Sequence, residues 1–309
     1  MKNMDIALIG GDKRTAYMAR FFSDKGYKVI CFDTVNIGNI QTPKENLYTA
    51  KSLRQAIEKT PVIICGIPLS FEGNLNLNNY KTPIALGELQ RCLRKKQVLF
   101  AGMIPPDFSQ KCNERQIGCH DFLSDENLTL YQAIATAEGA IAETLLHTEK
   151  LLHRSHVLVL GYGRCGKALA TKLSGLNCQV SICCRREEQL SLAESLGFAT
   201  LPLSSLEDEI SCFDFIYNTV PVCLLDRKLL GLANPNVCII DIASKRIGVD
   251  YEYCMDHRIN AIYCPHLPGK YAPESCGRRM GEFILRQLNA TKDALSDQNY
   301  MERNTAPWT

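Results

Sequence analysis

Residues 157–166 read Val157-Leu158-Val159-Leu160-Gly161-Tyr162-Gly163-Arg164-Cys165-Gly166, and this stretch halfway along the 309-residue chain decides the fold class. An apolar run typical of a buried strand leads into a Gly-x-Gly-x-x-Gly turn, and a helical pattern follows. In that context the first glycine permits a tight turn, the second lets the backbone approach a pyrophosphate at the helix N-terminus, and the third lets helix and strand pack closely. The stretch therefore predicts a dinucleotide site formed by residues 161–166. The alternative is a turn between strand and helix with no ligand.

The end of the next strand bears on the choice between NAD and NADP. An NAD site usually places Asp or Glu there, to bind the ribose 2′-hydroxyl, whereas an arginine accommodates the 2′-phosphate of NADP. This chain has Cys184, Arg185 and Arg186 at that point. Because a guanidinium can donate two parallel hydrogen bonds to a phosphate, we expect Arg185 and Arg186 to bind the cofactor and NADP to be preferred. The alternative is that both arginines are solvated residues at the start of a helix.

Short apolar runs alternate with helical stretches in both halves of the chain, which indicates parallel sheets. The predicted fold class is α/β, with two Rossmann-like doubly wound domains joined by a long connecting helix and a C-terminal helix that returns to the first domain. We expect an N-terminal α/β substrate-side domain at 1–130, a connecting helix at 131–154, a dinucleotide-binding domain at 155–268, a return helix at 269–290 and a flexible tail at 291–309. The helical stretch that contains the connecting helix begins at Glu126 and ends at Arg154. Gly139 interrupts it, which predicts a close approach to another group or a kink.

A second glycine turn, in the first half, differs from the dinucleotide fingerprint. Gly10, Gly11 and Asp12 follow a strand, and Asp33 ends the next strand. The third glycine is missing, and Asp12 would place a carboxylate where a pyrophosphate should lie. We therefore expect a substrate-facing loop, in which Lys13 and Arg14 at a helix N-terminus bind a carboxylate.

Composition and charge restrict the range of partners. The formal charge is +2, with basic and acidic residues interspersed, so nucleic acid and anionic membrane are not expected as partners. No apolar run reaches the roughly 18 residues of a membrane span, and a cytoplasmic location is expected. The fifteen cysteines include no Cys-x-x-Cys pair, which argues against a metal site, and most are predicted to be small core residues. The expected partners are small molecules or proteins, and a homo-oligomer is left open.

Three strand ends in the second half carry unusual turns. They are Asn218-Thr219-Val220-Pro221, Asp241-Ile242-Ala243-Ser244-Lys245-Arg246 and Cys264-Pro265-His266-Leu267-Pro268-Gly269. In a doubly wound sheet, ligands bind beyond the C-terminal ends of the strands. We expect the following residues to bind the cofactor: Asn218, Thr219, Val220, Pro221, Asp241, Ala243, Ser244, Leu267 and Pro268. The alternative is ordinary turn chemistry.

Six motifs in this order resemble the family of dipicolinate synthase A subunits. They are residues 6–14, 136–139, 159–164, 218–221, 241–245 and 267–273. The resemblance implies an NADP-dependent enzyme that, with a flavoprotein-like dipicolinate synthase B subunit as partner, oxidises 4-hydroxy-tetrahydrodipicolinate from the lysine pathway to dipicolinate, in the mother cell of a spore former. The chain departs from the family pattern at Ile247, where the family has glycine, and at His266, where it has a small residue.

A dicarboxylate substrate needs cations on both sides of a cleft between two domains. Arg14 and Lys245 are the candidates, one from each half of the chain. Substrate binding is predicted for Gly11, Asp12, Arg14 and Thr136, and catalytic roles are predicted for Glu138, Lys245 and His266. Glu138 would hydrogen-bond the substrate or move a proton.

Two other functions stay open. Pro265 and His266 are similar to the acid/base segment of the 2-hydroxy-acid dehydrogenases, but Ser244 follows Ala243 where those enzymes need an arginine, and the carboxylate that orients the histidine is not evident. The second alternative is a dinucleotide-binding subunit that regulates a partner without doing chemistry itself.

Overall fold

Two parallel six-stranded sheets organise residues 4–35 and 44–304, the part of the chain that the computed structural model describes, with side chains described as far as Ala290. One sheet lies in unit 1, which takes the described residues up to Thr129 and those from Pro273 onward. The other lies in unit 2, which spans Leu130–Ala272.

Unit 1 is built on strands that are mostly buried on both faces, as their short apolar sequences require in a parallel sheet. Its elements are β1 (Ile6–Ile9), α1 (Lys13–Asp24), β2 (Val29–Phe32), β3 (Leu47–Thr49), α2 (Leu53–Ile57), β4 (Val62–Cys65), β5 (Ser70–Phe71), β6 (Asn74–Leu75), α3 (Leu86–Cys92), β7 (Val98–Ala101), α4 (Pro106–Glu114) and β8 (Gly118–Asp121). The strand order is β3-β2-β1-β4-β7-β8, and β5 pairs with β6 in a separate antiparallel hairpin.

Unit 2 repeats the same winding. Its elements are α5 (Glu126–His147, entering from unit 1), β9 (His156–Leu160), α6 (Arg164–Gly175), β10 (Gln179–Cys184), α7 (Glu187–Ser195), β11 (Ala199–Pro202), α8 (Leu206–Glu209), β12 (Phe215–Asn218), α9 (Arg227–Leu232), β13 (Cys238–Asp241), α10 (Tyr251–Asp256), β14 (Asn260–Tyr263) and α11 (Leu267–Tyr271). The order β11-β10-β9-β12-β13-β14 places the first strand in the middle, where the winding reverses. Ligands bind at such a switch point in doubly wound sheets, and the predicted fold class is confirmed.

The connecting helix is shorter than predicted. Helix α5 ends at His147 rather than at Arg154. The Thr148 hydroxyl accepts a hydrogen bond from the Lys150 amide, and the chain turns before β9. No proline or glycine marks the end of α5, so the sequence pattern predicts a helix that is seven residues too long at this end.

Gly139 within α5 allows a close approach. A Cβ added there would lie 2.9 Å from Leu267 Cβ and 2.9 Å from Tyr271 Cδ2, both on α11. The glycine thus lets α11 pack directly against α5, which is the first of the two explanations that the sequence left open.

The last helix, α12 (Pro273–Asn304), packs on α1 within unit 1. A Cβ at Gly277 would lie 2.5 Å from the Arg14 carbonyl oxygen, so the two helices meet at a glycine. The helix continues beyond the end predicted at residue 290, and the tail predicted at 291–309 is helical as far as Asn304, a stretch that contains no glycine or proline. Residues 305–309 lie outside the described part. None of the described helices is long and apolar enough to span a membrane.

Candidate dinucleotide site

The glycine turn of unit 2 connects the central strand β9 to α6, and each glycine has a separate steric environment. Gly161 has a φ of +91°, and a Cβ there would lie 2.5 Å from Thr219 Oγ1. A Cβ at Gly166 would lie 2.2 Å from the Gly161 carbonyl oxygen. A Cβ at Gly163 would meet nothing within 4 Å. The first and third glycines therefore hold the turn together, while the second faces open space.

The N-terminus of α6 is suited to an anion. Its N-cap is Gly163, which provides no side chain to accept the first helical N–H groups, and its first turn contains no acidic residue. Such a helix end carries partial positive charge and backbone donors. The open space beside Gly163 is where a pyrophosphate would lie.

A cavity of about 480 Å³ adjoins this turn. Three segments that were predicted to bind the cofactor line it, namely Gly161, Tyr162 and Gly163; Arg185 and Arg186; and Thr219, Val220 and Pro221. The remaining lining residues, for which no role was predicted, are Cys183, Cys184, Gln189, Leu203, Val222 and Leu224. Cys183 and Cys184 could have been found, since they end β10. Leu203 begins a short 3-10 helix after β11, and Val222 and Leu224 lie in the loop after β12; no sequence pattern marks any of the three.

Arg185 and Arg186 follow β10 and are both exposed at the edge of the cavity. Among the described residues neither guanidinium lies within ion-pair distance of a carboxylate. Glu187 and Glu188 begin α7 directly afterwards, which suits the helix N-terminus, and neither lines the cavity. Two cations thus face a cavity wall that contains no carboxylate.

Asn218 and Asp241, predicted to bind the cofactor, are fully buried and serve the turn instead. The Asn218 side-chain nitrogen Nδ2 donates to Asp241 Oδ1 (2.9 Å), and the Asn218 side-chain oxygen Oδ1 accepts from the Val220 backbone amide (3.1 Å). Asp241 Oδ1 also accepts from the Ala243 amide (3.0 Å), and Asp241 Oδ2 accepts from the Tyr251 hydroxyl (2.7 Å). Burial raises the pKa of the Asp241 carboxyl, while these hydrogen bonds act in the opposite direction. The pair therefore fixes the ends of β12 and β13.

Gly248 completes this arrangement. A Cβ there would lie 2.1 Å from the side-chain nitrogen Nδ2 of the buried Asn218, so a side chain at Gly248 is excluded. Its neighbour Ile247, where the chain departs from the family pattern, is 49% exposed. The departure therefore falls on the position that tolerates a side chain.

Other predicted residues of the cofactor set contribute to packing. The Tyr162 ring is 1% exposed and lies 6.3 Å from the Phe198 ring, so only its backbone is available to a ligand. The Cys165 thiol hydrogen-bonds Thr136, and burial raises its pKa. Arg164 is exposed at the first position of α6. Three further residues of the set lie at strand and helix ends: Leu267 is buried and Pro268 half-buried at the start of α11, and Ser244 is exposed after β13.

The three residues predicted to be catalytic lie at different places in unit 2. Glu138 is exposed on α5 and pairs with Lys172 on α6 (2.8 Å). Lys245 is exposed in the loop after β13. His266 is exposed, has a φ of +59° and is the N-cap of α11. Lys245 and His266 thus follow the adjacent strands β13 and β14, whereas the Glu138 carboxylate is held by a partner.

In unit 1 the predicted substrate residues form a local ion pair. Asp12 is the N-cap of α1 and accepts from the Arg14 amide (2.9 Å). Arg14 is 5% exposed, and its guanidinium contacts both carboxylate oxygens of Asp12 (2.7–3.1 Å). Gly11 has a φ of +78°, and a Cβ there would overlap Thr15. The Arg14 charge is therefore compensated within its own turn.

The segment after β6 covers the Gly10–Gly11 turn. A Cβ at Gly10 would lie 2.0 Å from the Asn76 carbonyl oxygen, which also accepts from the Gly11 amide (3.0 Å). Asp33 accepts hydrogen bonds from the Asn78 and Asn79 amides (2.6 and 3.1 Å). The chain itself occupies the space where a dinucleotide would approach, which agrees with the sequence argument against a second fingerprint.

The fold defines a protein with two doubly wound α/β units, and unit 2 carries the Gly-x-Gly-x-x-Gly turn at its switch point. Residues 5–123 match the family model for the N-terminal domain of the dipicolinate synthase A subunit. The dipicolinate synthase A subunit of Bacillus subtilis (strain 168) is 29% identical over 163 residues, which are 53% of this chain and 55% of that protein. The chain thus matches about half the length of this relative, and the predicted resemblance to dipicolinate synthase A subunits is confirmed.

Solved structures agree on the fold. The structure of the dipicolinate synthase A subunit from Bacillus halodurans has a TM-score of 0.78 at 24% identity, covering 92% of this chain and 97% of that one. An L-alanine dehydrogenase has a TM-score of 0.61 at 15% identity, covering 96% and 93%. The chain therefore has a dehydrogenase-like fold.

Proposed function

We propose that this chain is an NADP-dependent oxidoreductase that acts as the A subunit of a dipicolinate synthase. One observation carries the proposal: a cavity at the switch point of unit 2 combines the Gly161–Gly166 turn with the two cations Arg185 and Arg186. The match of residues 5–123 to the N-terminal domain of that family supports the choice of reaction.

The residues present fit a phosphorylated dinucleotide. The N-terminus of α6 would hold the pyrophosphate through its backbone N–H groups, next to Gly163. The guanidinium groups of Arg185 and Arg186 would hold the 2′-phosphate. The cofactor, when bound, supplies the hydride acceptor.

The proposed reaction starts from 4-hydroxy-tetrahydrodipicolinate. Loss of the hydroxyl group and a ring proton as water gives a dihydropyridine dicarboxylate. Removal of one hydride and one proton from that ring then gives aromatic dipicolinate, so the electrons balance against one NADP⁺. Because aromatisation provides the driving force, the protein mainly has to orient the ring and hold its two carboxylates.

Within unit 2 we assign the proton and carboxylate chemistry to the loops after β13 and β14. Lys245 and His266 both lie there and are both exposed. The Glu138–Lys172 ion pair favours a structural role for Glu138. The predicted substrate-binding roles of Gly11, Asp12, Arg14 and Thr136 stay predictions, and so does a flavoprotein-like partner protein in a spore-forming cell.

Removing both arginines should weaken NADP binding. We expect the double variant Arg185→Ala, Arg186→Ala to bind NADP about tenfold to a hundredfold more weakly, because two charge-assisted contacts to an exposed phosphate contribute about 1–3 kcal/mol. NAD affinity should change little. Calorimetry with both nucleotides measures this, and Arg227→Ala, Lys228→Ala removes the same charge from another exposed surface of unit 2 as a control. Equal or tighter binding of NAD by the unaltered chain would contradict the assignment.

Turnover tests the reaction itself. The purified chain is supplied with 4-hydroxy-tetrahydrodipicolinate and NADP⁺, with and without a dipicolinate synthase B subunit. We expect dipicolinate absorbance and reduced nucleotide to appear in equal amounts. Nucleotide binding without product, even with the B subunit present, would instead support a non-catalytic dinucleotide-binding protein.

A further inference from the structure

We propose that Arg246 binds a carboxylate of the substrate in unit 2. The inference rests on the proposed function and adds the residue that recognises the substrate. The sequence pattern alone does not distinguish Arg246 from its neighbour Lys245 as a carboxylate-binding cation. The contacts of the two side chains separate them.

A series of contacts leads from the buried end of β13 to Arg246. Asp241 is 0% exposed and accepts a hydrogen bond from the Tyr251 hydroxyl (2.7 Å). The Arg246 guanidinium lies over the Tyr251 ring, 4.5 Å from its centroid. A guanidinium stacks favourably on an aromatic face, so a ring anchored at its far end orients the charge above it.

Within the described part of the chain, the Arg246 guanidinium has no close ionic partner, although its charge lowers the pKa of the Asp241 carboxyl from a longer distance. Among the side chains that the structure describes, which end at Ala290, none forms a hydrogen bond or ion pair with Arg246, and the residue is exposed. Asp241, the nearby buried carboxylate, is satisfied by three neutral donors and needs no counter-ion within ion-pair distance. Two other exposed cations of unit 2 are paired, Arg227 with Asp250 and Lys228 with Glu207.

The position of Arg246 suits a substrate. It lies in the loop after β13, in the half of the sheet formed by β12, β13 and β14. The two halves of a doubly wound sheet each bind one nucleotide half, and the glycine turn with Arg185 marks the adenosine side. The β12–β14 half is therefore the nicotinamide side, where a hydride donor must bind.

The chemistry of the side chain indicates its ligand. A planar guanidinium with parallel N–H donors matches a carboxylate in two hydrogen bonds, which an ammonium such as that of Lys245 cannot do. A ring that carries two carboxylates would offer one of them to Arg246. Tyr251 is then a positioning residue, which acts through the arginine and does not touch the ligand.

Calorimetry on the full-length chain with NADP⁺ present tests the assignment, with pyridine-2,6-dicarboxylate and pyridine-2-carboxylate as probes. We expect Arg246→Gln to weaken binding of the dicarboxylate at least about tenfold, or about 1.4 kcal/mol, and to change binding of the monocarboxylate much less. NADP affinity should stay within about twofold. Arg227→Gln, which removes another exposed guanidinium of unit 2, is the matched control.

The Tyr251 variants test the positioning role. Tyr251→Phe keeps the ring and should retain dicarboxylate binding within about threefold, whereas Tyr251→Leu should weaken it; in the Arg246→Gln background, Tyr251→Leu should add nothing further. An unchanged dicarboxylate affinity in Arg246→Gln, a loss caused by Lys245→Gln instead, or no dicarboxylate binding by the unaltered chain would each overturn the assignment. Failure of the unaltered chain to bind NADP would overturn the proposed function.

Discussion

The variant Gly166→Ala should lose stability and nucleotide affinity together. A Cβ at this position lies 2.2 Å from the Gly161 carbonyl oxygen and 3.0 Å from the Gly161 carbonyl carbon, so the turn must move away from α6. Because the obstructing atoms belong to the backbone, side-chain rotation cannot relieve the overlap. We expect a loss of about 2–3 kcal/mol in the free energy of unfolding and at least about tenfold weaker NADP binding. Denaturant unfolding and calorimetry measure the two effects.

The same helix provides the control. Gly175 ends α6, and a Cβ added there meets nothing within 4 Å. Gly175→Ala should therefore be neutral or stabilise the chain by up to about 1 kcal/mol, through helix propensity, with unchanged NADP affinity. If both glycine variants behaved alike, the close packing of Gly166 on the turn would not be the reason for its presence.

The variant Asp241→Ala should be strongly destabilising as well. It would leave the Ala243 backbone amide and the Tyr251 hydroxyl without their acceptor, and the Asn218 side-chain amide would keep only its bond to the Val220 carbonyl. A buried donor without a partner costs about 1–3 kcal/mol, while removal of a buried charge whose pKa is raised returns part of this cost. We expect a net loss of about 3 kcal/mol in the free energy of unfolding, measured by denaturant titration.

The matched control for Asp241 is an exposed aspartate of the same unit. Asp256 ends α10 and is exposed. Its replacement by alanine should change stability by less than about 0.5 kcal/mol. A mild effect of Asp241→Ala, similar to that of Asp256→Ala, would show that the ends of β12 and β13 hold their shape without the carboxylate.

The fold could be predicted because its signals are local. Residues 157–166 are enough to predict a strand, a glycine turn and the start of a helix. The alternation of strand and helix patterns along the chain then predicts parallel sheets. The end of α5 could not be predicted, because the sequence directly after His147 contains no helix breaker. The long extent of α12 was missed for the opposite reason: polar residues after Asn289 suggested a flexible tail, although nothing in them prevents a helix.

The sequence predicts those residues of the candidate site that directly follow strands. It does not predict which of them face a ligand and which are held by contacts within the protein. Asn218 and Asp241 do lie at strand ends, but only their burial and hydrogen bonds show that they stabilise the turns after β12 and β13. Arg14 has the sequence position of a substrate cation, and only the structure shows its pairing with Asp12. Arg246 differs from Lys245 through the Tyr251 ring, which comes from the helix that follows. Contacts of this kind depend on the folded arrangement of the side chains, and the sequence patterns of strands, turns and helices do not predict them.

If unit 2 binds a nucleotide as proposed, the segment over the Gly10–Gly11 turn should make the two units respond differently to nucleotide concentration. A ligand that binds only the folded state adds RT ln(1 + [L]/Kd) to the free energy of unfolding. In unit 2 the helix end at Gly163 faces open space, so a nucleotide bound there as proposed would add this term. In unit 1 the Asn76 carbonyl already accepts the Gly11 amide, and the turn has its partner at every nucleotide concentration. In the proposed function, the stability of the strand, turn and helix in unit 2 depends on nucleotide concentration, whereas that of the same arrangement in unit 1 does not.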